Sequence, residues 1–63
     1  MTKGKALILA RKVLGPTGHV KFDSGLPFPC KVGTFDQAWE CKAVGRTWEE
    51  ALSPWEQELR KMR

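Results

Sequence analysis

No apolar run in this chain approaches the roughly 20 residues that a membrane-spanning helix requires. The longest candidate near the N-terminus, Ala6 to Ala10, is followed at once by Arg11 and Lys12. It is too brief for a signal peptide, so a cytoplasmic location is expected and no membrane partner. Cysteine is scarce: Cys30 and Cys41 alone, eleven residues apart. A secreted domain of this size would usually carry more cross-links. Histidine occurs once, at His19. No close ligand pair such as C-x2-C is present, so a set built from His19, Cys30, Cys41 and Asp23 or Asp36 lacks the spacing of a structural zinc site. No metal or cofactor is expected, and the cysteines read as buried free thiols. Acid is nearly absent from the first half, where Asp23 stands alone against six Lys and Arg, a balance of +5 over residues 1–31. The remainder carries −1. A basic half of this kind favours an anionic partner.

What is present suits one small folded domain, residues 1–63. Apolar content is 41% and charged content 29%, with three Trp and three Phe to fill a core. So short a chain buries only about 60% of its unfolded surface, and every large apolar residue counts.

The clearest pattern lies at the end. Trp48, Ala51, Leu52, Trp55, Leu59 and Met62 recur at steps of three or four and share one side of a helix. Thr47 and Glu50 form a capping box at its start. Pro54 interrupts the stripe without changing its phase, which predicts either one kinked helix or a one-turn helix running into a longer one. Arg60, Lys61 and Arg63 suit the negative end of the helix dipole.

Residues 3 to 14 predict a first helix with Leu7, Ala10 and Leu14 on one face. Gly15-Pro16 is a stop. Gly15-Pro16-Thr17-Gly18 matches the G-x-x-G of a nucleic-acid clamp in outline, but its Pro-Thr centre before a strand reads as a turn. His19 to Phe22 alternates as a short strand, with Val20 and Phe22 on one side. The loop Leu26-Pro27-Phe28-Pro29 reads as a lid on the core. Cys30–Phe35 and Trp39–Val44 read as a hairpin turning at Asp36-Gln37. A two-residue turn would gather Cys30, Val32, Thr34, Trp39, Cys41 and Ala43 on the covered face. Lys31, Gly33, Phe35, Glu40, Lys42 and Val44 would then lie on the open one. That register sends Trp39 inward against Trp48 and Trp55, with Val32, Cys41 and Leu52 completing the core.

The expected fold is α+β: helix, three-stranded antiparallel sheet, helix, with both helices on one face. This αβββα order resembles the double-stranded-RNA-binding domain at the level of topology, over most of the chain. The resemblance implies that fold and an RNA partner. Where that family grips phosphate with lysines at the start of its second helix, this chain has Arg46-Thr47-Trp48-Glu49-Glu50.

Two function classes follow. The first is a non-enzymatic nucleic-acid-binding module, contacting backbone through Lys21, Lys31, Lys42 and Arg46 beside Phe35. Lys3, Lys5, Arg11 and Lys12 would extend the contact from the first helix. The second is a protein-interaction module, a regulator of a bacterial or phage complex, using Glu49 and Glu56 or the Leu26–Phe28 loop. An enzyme is disfavoured, because no nucleophile is spaced to meet a base.

Overall fold

A computed structural model describes residues 1–62. Arg63, expected at the end of the last helix, lies outside the described residues. Helix α1 (Lys3–Leu14) begins where the Thr2 hydroxyl accepts the Lys5 N–H at 3.2 Å, and ends where Gly15 takes φ +87° and donates to the Arg11 carbonyl. Positive φ is free of steric cost for glycine, which makes Gly15 an effective stop. Ala6 and Ala10 bring the helix backbone close to the sheet, and both are fully buried. Gly18 allows the closest approach, since a Cβ there would sit 2.7 Å from the Ala10 carbonyl oxygen.

Three strands follow: β1 (Gly18–Phe22), β2 (Cys30–Asp36) and β3 (Ala38–Gly45), antiparallel in the order β1-β2-β3. The C-terminal stripe folds as α2 (Trp48–Leu52), a 3-10 turn over Ser53–Trp55, and α3 (Glu56–Lys61). Thr47 caps α2, its hydroxyl accepting the Glu50 N–H at 3.1 Å. Pro54 therefore splits the last helix through a 3-10 turn, because it cannot donate into an α-helical ladder. Both helical layers cover one face of the sheet, and the fold is the α+β arrangement that the sequence predicts.

The core consists of Ala6, Ala10, Val20, Cys30, Val32, Trp48, Ala51 and Leu52, with Trp55 and Leu59 half-buried against it. Met62 is exposed. Three sequence expectations fail here. Trp39 and Cys41 do not enter the core, for the reason of register given below. The Leu26–Phe28 segment is no lid: Leu26 and Phe28 are 41% and 42% exposed, in a loop tied by its own turn hydrogen bonds. Among the described residues, no helix is long and apolar enough to cross a membrane.

Candidate nucleic-acid interface

The open face of the sheet is decided by how β2 turns into β3. Gln37 alone separates the two strands and takes φ +68°. Asp36 pairs with Ala38, Phe35 with Trp39, Thr34 with Glu40 and Gly33 with Cys41. The two-residue turn expected from the sequence would have set Trp39 opposite Thr34. A shift of one position moves every side chain of a strand to the other face. Trp39 and Cys41 accordingly lie on the open face, and Glu40 leaves it.

A bulge then restores the expected parity. Val32 pairs with Ala43, so Lys42 is an extra residue between Cys41 and Ala43. A Cβ on Gly33 would lie only 2.0 Å from the Glu40 carbonyl oxygen, so the irregular crossing depends on glycine at this position. Beyond the bulge, Ala43 returns to the covered face opposite Val32, and Val44 stands opposite Lys31 on the open one.

Alternation along the paired strands places His19, Lys21, Lys31, Phe35, Trp39, Cys41 and Val44 on the open face. Phe35 is 51% exposed and Trp39 half-buried. The His19 ring lies 6.1 Å from the ring centroids of both, edge-on in each case. The Lys21 ammonium stands 4.8 Å from the Trp39 ring centroid and 5.9 Å from that of Phe35. Such exposed cation–π contacts contribute about 0.5–1 kcal/mol each, weak enough to be exchanged for a better partner. Lys21 is also directly opposite Lys31. Like charges placed so oppose pairing, and neither lysine forms an ion pair among the described residues. Among the described residues, no carboxylate occupies a strand position on this face.

The other basic residues divide. Arg11 reaches the site: it lines a notch of about 310 Å³ with Pro16, Thr17, Gly18, His19 and Phe35, and its Nε donates to the Gly18 carbonyl at 3.4 Å. Arg46 lies at the opposite end of the sheet from the hairpin tip, its guanidinium 5.7 Å from the Phe28 ring centroid. Lys42 does not join Lys31. Its ammonium donates to Glu40 at 2.7 Å, and that hydrogen bond and charge hold the Glu40 carboxyl below the usual carboxylate range. Lys5 and Lys12 line a different groove of about 820 Å³ between α1 and the α2–α3 segment, with Leu9 and Leu59 in its wall and Glu49, Glu50 and Glu56 among its charged groups. Lys3 is exposed on the first turn of α1.

Sequence reasoning missed His19 and Trp39 as parts of this surface. Trp39 was hidden by the turn length, and His19 gained meaning only from the two rings beside it. The cysteines stand on opposite faces, Cys30 buried and Cys41 exposed, so they cannot bridge within one chain. Burial pushes the Cys30 thiol up, with Glu49 and Glu50 adding to the shift.

Comparison with protein-family models, curated proteins and solved structures finds no match to this chain.

Proposed function

We propose that this chain is a nucleic-acid-binding module whose contact surface is the open face of the sheet. The observation that carries the reading is the direct opposition of Lys21 and Lys31 on a face where, among the described residues, no carboxylate holds a strand position, flanked by Arg11 at one end and Arg46 at the other. The strand positions from Phe35 to Cys30 span roughly 17 Å at the usual rise per residue. That track accommodates a few consecutive phosphates, and opposed lysines lose their mutual repulsion when an anion lies between them. The reading gives the chain no catalytic role; the rings beside His19 on this face are those of Phe35 and Trp39. A cytoplasmic setting belongs to the same proposal.

The test is retention of labelled oligonucleotides by the folded protein at low salt, followed at rising ionic strength. Binding through phosphates must weaken steeply, because each neutralised phosphate releases condensed counter-ions. Absence of binding to any oligonucleotide at about 50 mM salt would end the proposal. A protein-interaction module is the second reading, favoured by the exposure of Leu26 and Phe28 on one loop. A nuclease-resistant complex lost in Phe28→Ser but retained in Lys31→Gln would transfer the assignment to that loop.

A further inference from the structure

We infer that the strand taken by this face is single, and that its bases stack on Phe35 and Trp39 while Lys21 moves from the rings to a backbone phosphate. This rests on the nucleic-acid reading above and adds the state of the ligand. The lysine track by itself would suit any polyanion, duplex included. The aromatic pair would not. In a duplex the base faces are already stacked on one another, and a protein meets only base edges and backbone; ring faces on a flat sheet become useful when bases are splayed out.

Three features of the face fit that use. Phe35 and Trp39 are cross-strand partners, so the sheet itself brings both residues to one place on the open face. His19 stands 6.1 Å from both ring centroids in T-shaped contacts, which supports the orientation of the two rings. The Lys21 ammonium lies over both rings in the free protein. A base arriving there displaces an ammonium whose next best partner is the phosphate arriving with the base. Arg11, in the notch beside Phe35, stands where the backbone would leave the platform. Stacking on aromatic rings tolerates every base, so the expected ligand is single-stranded DNA or RNA with little sequence preference.

Fluorescence anisotropy with labelled 12-mers of oligothymidylate and oligouridylate, and with a 12-base-pair duplex, tests this in low salt. Single strands are expected to bind at least about tenfold more tightly than the duplex. Phe35→Ala and Trp39→Ala should each lose about 5- to 150-fold on the single strands and little on the duplex, with folding checked by circular dichroism. Trp39→Phe, which keeps a ring, should retain most of the affinity. In the unaltered protein, single strands should quench tryptophan emission, and Trp39→Phe should abolish that quenching; this readout stands even where an alanine variant unfolds. Equal binding of duplex and single strand without quenching would overturn the stacking inference and leave backbone binding intact. Failure of every oligonucleotide to bind would overturn both.

Discussion

Phe35 lies directly across from Trp39 in the β2–β3 pair, with the Lys21 ammonium over both rings. A tryptophan that composition would assign to the core thereby lies, half-buried, on the open face of the sheet.

The first consequence concerns stability. Trp48, 7% exposed within the core, should cost about 3–5 kcal/mol when changed to alanine. A domain of this size has on the order of 3–9 kcal/mol to lose, so Trp48→Ala should be largely unfolded at room temperature. Trp39→Ala removes a cross-strand pair worth about 0.2–1 kcal/mol and a cation–π contact worth about 0.5–1 kcal/mol, and should lose clearly less than Trp48→Ala. Thermal melts followed by circular dichroism check both. A loss in Trp39→Ala as large as in Trp48→Ala would mean that its ring belongs to the core.

Two glycines should respond with opposite sign. Gly33→Ala forces a Cβ toward the Glu40 carbonyl, 2.0 Å away, and should destabilise by about 1–3 kcal/mol or more. Gly4→Ala meets nothing nearer than the Thr2 hydroxyl at 4.0 Å, and should stabilise by up to about 1 kcal/mol, since alanine forms helix more readily. Chemical denaturation curves of the two variants give the comparison. A Gly33→Ala protein as stable as the parent would show that the bulge is dispensable.

Salt dependence separates the lysines. Lys31→Gln should reduce the slope of log affinity against log salt by about 0.7 for a single strand. Lys42→Gln should leave it almost unchanged, because that ammonium is bound to Glu40 and stands outside the Lys21–Lys31 pair. Equal slopes for the two variants would remove the special position given to Lys31.

The cysteines should differ in reactivity. Cys41 is exposed on the open face, whereas Cys30 is buried with its thiol pushed toward the protonated form. A thiol reagent should titrate one group rapidly in the native protein and the second only on denaturation. A bound single strand should slow the first reaction, since Cys41 follows Trp39 on the same face. Two fast thiols in the native state would contradict the burial of Cys30.

What the sequence determined is what local chemistry controls. Apolar spacing defined α1 and the C-terminal stripe; Gly15 and Thr47 marked the helix boundaries where they are observed, and Pro54 marked the break in the last helix. Alternation within each strand likewise set which residues share a side, as in Val20 with Phe22 and Lys31 with Phe35. What tertiary structure decided is how two such alternations are joined. Gln37 at φ +68° leaves one residue in the turn, and the Lys42 bulge beside Gly33 later reverses the effect. Between those two points the faces of Trp39, Glu40 and Cys41 are exchanged, while Ala43 and Val44 keep theirs. Neither device has a distinctive local signature: Asp36-Gln37 does not specify a turn length, and Gly33 marks a close backbone approach only once β3 is beside it. Pairing depends on the contacts of the whole sheet with α1 and α2, where Ala10 against Gly18 and Ala51 against Gly45 fix the approach. The candidate site is therefore the part of the molecule least legible in the sequence, because it exists only across strands.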